Sequence, residues 1–268
     1  MGDHWYNDKG EPCHTSVGAK GQEVKTTLTQ ARKRGLLPSV TTVLSILAKP
    51  ELDRWKHKQI TTACYENPSI QQGQYKWTPE AYNAEMLKKA FETVSDAADL
   101  GTLIHDALEK HFKGEEYECR KEVTLGDKTT NLETIAGQVE AWAYDNDVKI
   151  EEPELRLADV ENGFAGLTDA VIAVKDQRGI LDFKTRRFDD TKIKPYSEHP
   201  TQIAAYHMAK YGEILDTDIG CNLYISTTKV GLIHPVWYGA DELRKHWEKF
   251  KHCLGLWVIL KNYNPAKK

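Results

Sequence analysis

A mixed α/β (α+β) fold, a central mixed β-sheet flanked by helices, is predicted by three observations. Helical periodicity fills Glu80–Lys113 and Asn131–Asn146; strand-like runs follow at Glu154–Val160, Leu167–Lys175, Gly179–Lys184, Cys221–Thr227 and Gly231–Trp237; an amphipathic helix occupies Asp241–Lys261. Hairpin-linked strands beside long helices bury their apolar faces against one another. A chain of 268 residues, 40% hydrophobic and 28% charged, has enough apolar material for one large core and too much for a disordered segment.

Taken in order, residues 1–36 are polar, rich in Gly and Lys and weakly patterned, and read as an extended arm with one hairpin. Pro38–Leu47, closed by Pro50, is either a buried strand or, as we prefer, a short helix with Pro38 near its first turn. Glu51–Tyr65 is helical, with Leu52, Trp55 and Gln59 in line, and Asn67–Thr78 is a loop. Thr78-Pro79-Glu80 starts the next helix with Pro at its first position, and a break is expected near Ser95-Asp96. Gly114–Thr130 is a charged insertion with hairpin character at Gly126-Asp127. In the helix after it, Ile135, Val139 and Trp142 fall at spacings of four and three. Pro200 opens a short helix over Thr201–Tyr211, where Ala204, Ala205 and Ala209 offer a low profile for close packing. The last helix carries an apolar stripe of Leu243, Trp247, Phe250, Leu254, Trp257 and Val258. The expected organisation is an arm (1–36) and a single domain (37–268), with its core at about 95–238 and its C-terminal helix at 241–261.

The formal charge of −4 does not advertise a polyanionic partner, but such affinity rests on a local basic groove and not on the total. Cys13, Cys64, Cys119, Cys221 and Cys253 are widely spaced with no C-x-x-C pair, which argues for reduced thiols and against a disulfide framework or a metal clip. No run approaches the roughly 18 apolar residues of a membrane span, and the first residues lack an apolar signal core. The expectation is a soluble, cytoplasmic protein with no membrane partner.

The chemistry-bearing residues lie around the strands. Asp169 and Asp182 sit inside runs that look buried, and a buried carboxylate needs a cation. Asp182 and Lys184, two apart on a strand, share a face. Two carboxylates and an ammonium on stiff strands suit a hard divalent cation beside a phosphate. For each residue alone, an edge ion pair or a snorkelling lysine stays open. A hairpin centred between Gln177 and Arg178 pairs Asp182 with Ala173, so the two acids meet only if the strands splay or carry a bulge. Gly101, His105 and Glu109 lie in line on one helix, and Gly101 leaves room over which the His105 ring leans, unless that ring simply bonds Asp106 or Glu109. Glu154, opening a strand, is a further acid near the site or a plain edge residue. Gln202 and Tyr206, four apart, share a helix face. Arg186, Arg187, Lys192 and Lys194 form a positive cluster suited to a phosphate backbone, or a solvated loop.

In this order, Gly101…His105, Gly166-Leu-Thr-Asp169, Asp182-Phe-Lys184 and Gln202-Ile-Ala-Ala-Tyr206 resemble the motifs of the PD-(D/E)xK nuclease superfamily, RecB-like exonuclease branch. Leu37-Pro-Ser-Val-Thr-Thr-Val-Leu44 resembles the opening of phage-encoded members of that branch. Each motif alone is weak; four in order, over roughly residues 37–230, are specific. The resemblance implies a restriction-endonuclease-like core with N-terminal helical additions and strands that diverge so that both acids meet one ion. It implies that His105, Asp169 and Asp182, with the backbone carbonyl of Phe183, hold Mg²⁺ or Mn²⁺. Lys184 would assist the attacking water beside Asp182 and Asp169, while Gln202, Tyr206, Thr185 and Arg186 would contact DNA. Glu154 and Glu109 would be auxiliary acids. Some relatives carry four cysteines around an iron–sulfur cluster; the spacing here fits none, so no cluster is expected. There is no G-x-x-x-x-G-K-[ST] motif, so strand separation would come from a partner helicase, and a single-strand annealing protein is a second candidate partner. A phage origin would place the protein in the host cytoplasm.

The reaction implied is metal-dependent hydrolysis of DNA by an exonuclease acting in recombination, repair or degradation, leaving 5′-phosphate and 3′-hydroxyl ends. Three rivals stay open: a structure-selective endonuclease, a non-catalytic DNA-binding accessory on a nuclease scaffold, and an unrelated metal-stabilised protein. Only the endonuclease would cut a closed circle. The accessory has no physical reason to keep buried charges that are costly to desolvate.

Overall fold

In the computed structural model the described residues are 3–18, 21–67, 77–190 and 193–266, with backbone only at 93–97. Met1–Ile46 together with Ile104–Lys268 form one compact unit, and Leu47–Leu103 form a second.

The first unit begins with β1 (Trp5–Tyr6), the hairpin β2 (Thr15–Val17) and β3 (Glu23–Lys25), helix α1 (Leu28–Arg34), β4 (Leu37–Pro38) and helix α2 (Val40–Leu44). The expectation of an extended arm gives way here to structure. Strand β1 pairs with β4, and the fully buried Trp5 ring lies 6.1 Å from Trp257 and 6.3 Å from Tyr263. Helix α1 is closed by a reciprocal Thr27–Gln30 capping box and ends on Gly35 in the left-handed region at φ 64°. Thr-x-x-Gln before a helix and Gly after it are local signals that were in the sequence. Pro38 lies in β4 rather than in a helix; the helix starts two residues later, capped by the Ser39 hydroxyl, which accepts from the Thr42 N–H at 2.9 Å.

The second unit holds helix α3 (Pro50–Glu66) and the opening of α4 (Pro79–Lys113), with Trp55 and Phe91 packed ring to ring at 6.1 Å. Helix α4 is continuous through Ser95-Asp96, where a break was expected. Neither residue is Gly or Pro, and their low helix propensity costs only about 0.5 kcal/mol each, too little to stop a long helix. Most of the loop expected at Asn67–Thr78 lies outside the described residues.

After α4 come the hairpin β5 (Glu122–Leu125) and β6 (Lys128–Asn131), turning at Gly126-Asp127 as expected, and helix α5 (Leu132–Asp145), capped by Asn131. The main sheet then builds from β7 (Val148–Asp159), β8 (Phe164–Val174), β9 (Gln177–Arg186), β10 (Ile219–Ser226) and β11 (Ile233–Gly239). Its order is β11-β10-β9-β8-β7; β9 and β10 are parallel and joined by helix α6 (His199–Tyr211), and every other pair is antiparallel. Strand β7 begins six residues before the expected Glu154. Pro153 is tolerated inside it because β7 is an edge strand.

Helix α6 packs on the sheet and on the terminal helix α7 (Ala240–Lys261). The face carrying Gly220 receives Ile203 of α6 and Leu243 of α7. The opposite face stacks Trp237 on Trp142 of α5 and Phe183 on Phe112 near the end of α4. The sheet is therefore buried on both sides, the condition under which an acid on a central strand loses its water.

Candidate active site

The register of β8 and β9 decides whether the two aspartates can meet. The hairpin turns at Lys175-Asp176, closing on Val174↔Gln177, rather than between Gln177 and Arg178. The expected pairing of Asp182 with Ala173 is thus wrong by four positions: Ala173 pairs Arg178, and the ladder runs to Ala170↔Leu181, so that Asp169 and Asp182 come next in line. Gly179 explains the difference. It looks like a turn residue but belongs to β9, where a Cβ would stand 2.6 Å from the Ile219 carbonyl oxygen of β10. Beyond Leu181 the ladder ends. The Phe183 N–H donates to the Asp169 carboxylate at 2.6 Å instead of to a β8 carbonyl. The strands part at this point with the Phe183 N–H still satisfied.

Around this opening the motif residues converge. His105 Nδ1 on α4 lies 3.5 Å from Asp169 Oδ1, and its ring stands edge-on to Phe183 at 6.2 Å. Lys184 Nζ lies 2.5 Å from Asp182 Oδ2 and donates to Gln202 Oε1 at 3.3 Å. Gln202 Nε2 donates in turn to the Tyr206 hydroxyl at 3.1 Å. Gly166 is needed for this chain of contacts, because a Cβ there would meet Tyr206 Cε1 at 2.6 Å. The Gln-x-x-x-Tyr helix thus aims the lysine.

The charges are unevenly balanced. Burial raises the Asp182 carboxyl, Lys184 opposes it and Asp169 adds to it, and the outcome is a pKa above the usual aspartate value. Burial also works to raise Asp169, but His105, Lys184 and the Phe183 N–H together hold it below. Burial disfavours the His105 imidazolium, yet the Asp169 carboxylate outweighs that and keeps its pKa above the ordinary value.

Among the described residues no three His, Cys, Asp or Glu side chains stand grouped to hold a metal ion. The donors are drawn into pairs instead, His105 with Asp169 and Lys184 with Asp182. Their chemistry nevertheless fits a hard cation: adjacent carboxylates, one with its pKa raised by burial despite the lysine beside it. Mg²⁺ is ordinarily held by one or two carboxylates plus waters and substrate phosphates, without an all-protein cage.

Of the other predicted residues, Glu109 and Glu154 are both bound by Lys113 Nζ, each at 2.6 Å, with Glu154 in the left-handed region at φ 51°. Thr185 pairs with Ile225 of β10. The Arg186 guanidinium lies 4.5 Å over the Tyr196 ring and donates to the Lys194 carbonyl at 3.0 Å. Arg187 and Lys194 are exposed, and Lys192 lies outside the described residues.

Two residues that sequence reasoning passed over touch the centre. The Asn222 amide on β10 donates to Asp182 Oδ2 at 2.9 Å, and the Tyr238 hydroxyl on β11 donates to Asn222 Oδ1 at 2.9 Å. The available signal was a lone amide within an apolar run, since such a group is buried only with partners.

A family model described as PD-(D/E)XK nuclease superfamily matches residues 74–212. Among solved structures, one described as "Crystal structure of SSO0001" aligns at 17% identity, covering 81% of this chain and 89% of that one with a TM-score of 0.32, too low to carry an argument. Comparison with curated proteins gives no match.

Proposed function

Because the chain belongs to the PD-(D/E)XK nuclease superfamily, whose model spans more than half of it, we propose that it is a DNA exonuclease of the RecB-like kind, dependent on Mg²⁺ or Mn²⁺ and leaving 5′-phosphate and 3′-hydroxyl ends. The observation that carries this reading is the meeting of Asp182, Lys184, Asp169 and His105 where β8 and β9 part.

In this reading Asp169, Asp182 and His105, with the Phe183 carbonyl, hold the cation. When bound, the metal lowers the pKa of water and offsets charge on the phosphoryl oxygens. Lys184 supplies a hydrogen-bond-donating ammonium at the same place, turning from Asp182 to offset charge on a phosphoryl oxygen or to orient the attacking water. Gln202 limits where that ammonium goes, and Tyr206 limits Gln202. Arg186, Thr185, Arg187 and Lys194 follow the Asp-x-Lys strand and meet the phosphate backbone. Residues 37–268 act as the nuclease domain in the cytoplasm, and a helicase or annealing protein supplies the single strand. Among the described residues no helix is long and apolar enough to cross a membrane.

Short duplexes and single strands labelled separately at each end, together with a closed circle, test this in Mg²⁺ or Mn²⁺ against chelator. The expected result is metal-dependent loss of one end label with the circle intact. Asp182→Ala and Lys184→Ala should each abolish cleavage with an unchanged circular-dichroism spectrum. Retained activity in both overturns the roles, and cutting of the circle replaces exonuclease by endonuclease.

A further inference from the structure

A buried polar chain leads away from the motif residues. Asn222 is 0% exposed and Tyr238 5% exposed, and they connect Asp182 to the far edge strand of the sheet. Asn222 is the register partner of Asp182 across the parallel β9–β10 pair, so backbone pairing alone sets the two side chains beside each other. Tyr238 is the partner of Gly220, two residues back along β10 and on the same face as Asn222, and its hydroxyl reaches diagonally to Asn222 Oδ1. An amide can present either its oxygen or its nitrogen. Because Tyr238 donates, the amide oxygen is taken, and the NH₂ must face the carboxylate.

Both Asn222 Nδ2 and Lys184 Nζ fall on the same oxygen of Asp182, Oδ2. Neither holds Oδ1. The two donors are not equivalent, however. Lys184 is on a flexible stem, is 22% exposed and is shared with Gln202; Asn222 is fully buried within the sheet and held by Tyr238. When Lys184 swings to a phosphoryl oxygen, Asn222 is the donor that remains on Oδ2.

We propose that Asn222, locked in orientation by Tyr238, is a positioning residue that pins Oδ2 of Asp182 and so presents Oδ1 to the divalent cation. This rests on the metal-centre reading above and extends it by a residue pair outside the four motifs. Partners that orient a liganding carboxylate from behind commonly change metal affinity by 10- to 100-fold when removed.

The test measures Mn²⁺ binding to the DNA-free protein by electron paramagnetic resonance or calorimetry, with Asn222→Leu, Tyr238→Phe, the double variant and Asp182→Asn. The expected result is a loss of Mn²⁺ affinity on the order of tenfold in Asn222→Leu, a smaller loss in Tyr238→Phe, and no further loss in the double variant. That non-additivity is the signature of one acting through the other, and general loosening of the core would not produce it. Should Asn222→Leu fail to fold, Tyr238→Phe, which removes a single oxygen atom, carries the test alone. Mn²⁺ affinities within twofold of wild type in the folded variants, with Asp182→Asn impaired, overturn the positioning role and leave the metal centre standing. Wild-type affinity in Asp182→Asn removes the metal centre itself, and the proposal with it.

Discussion

Two buried aspartates, one on a strand and one at the entry to its neighbour, have opposite electrostatics. Asp218, at the entry to β10, is 1% exposed; Asp182, on β9, is 3% exposed. Asp218 accepts from Arg178 Nε at 2.9 Å and Nη2 at 3.2 Å and from the Leu215 N–H at 2.7 Å. Burial would raise its carboxyl, but these donors outweigh burial and hold it below the ordinary value. Asp182 has a lysine and an amide, and has Asp169 as a neighbour, and stays above. Both are closed to solvent, but burial weighs more heavily on Asp182 than on Asp218, and the smaller supply of fixed positive charge at Asp182 adds to the difference. A guanidinium fork saturates a carboxylate and makes it a strut. A flexible ammonium shared between two acceptors leaves the carboxylate short of charge, the condition a cation can relieve.

The largest separation between the two comes from neutralising each. Asp218→Ala leaves Arg178 without its main partner and should lower stability by about 3 kcal/mol, at the lower end for a broken buried pair because Arg178 keeps part of its side chain in water. Metal-dependent cleavage should persist below the new melting point. Asp182→Asn should do the reverse, abolishing cleavage while stability stays within about 1 kcal/mol of wild type. Urea unfolding beside an end-label assay reads both. Equal effects of the two variants on both readouts would remove the distinction.

A smaller effect lies beside the strut. His207 on α6 is fully buried, with Nε2 3.3 Å from Asp218 Oδ2, the oxygen that also accepts from Arg178 Nη2. Burial outweighs the pull of Asp218 and brings the imidazole down to about 4. An unfolded histidine titrates near its ordinary 6.5, so between there and 4 the unfolded chain binds more protons than the folded one. Stability from this residue is thus whole above pH 6.5 and is lost as the pH falls toward 4. His207→Leu should flatten the urea midpoint across that window; a profile with the wild-type slope would mean that His207 is not buried neutral.

What was legible in the sequence follows the same physical division. His105, Asp169, Asp182, Lys184, Gln202 and Tyr206 could be named because each lies in a short motif whose spacing fixes a helix or strand face. The strand register could not, since Lys175–Gly179 offers several turn positions and the choice among them is made by Gly179 fitting against Ile219 of β10, a tertiary contact. Asn222 stood out only as a lone amide in an apolar run, and its role was illegible for the same reason: it comes from lying beside Asp182 across a parallel strand pair 40 residues apart in sequence. Trp5 went unnoticed because one buried ring in a polar stretch carries no periodicity, while the Thr27–Gln30 box was local and could have been found.

The smallest effect sits at the turn that brings Asp169 to Asp182. Lys175, the first turn residue, is held in the left-handed region at φ 54°. A side chain there costs about 1 kcal/mol, which glycine avoids. Lys175→Gly also adds freedom to the unfolded chain, so the net gain should be a few tenths of a kcal/mol, visible as a small rise in urea midpoint. Because the two-residue turn is kept, Val174↔Gln177 and every pair up to Ala170↔Leu181 should be kept as well, and with them the uncompensated charge at Asp182. Cleavage should therefore be unchanged. A loss of cleavage with a gain in stability would mean that the turn had moved, carrying Asp169 out of line and leaving Asp182 with Lys184 and Asn222 alone, a strut like Asp218.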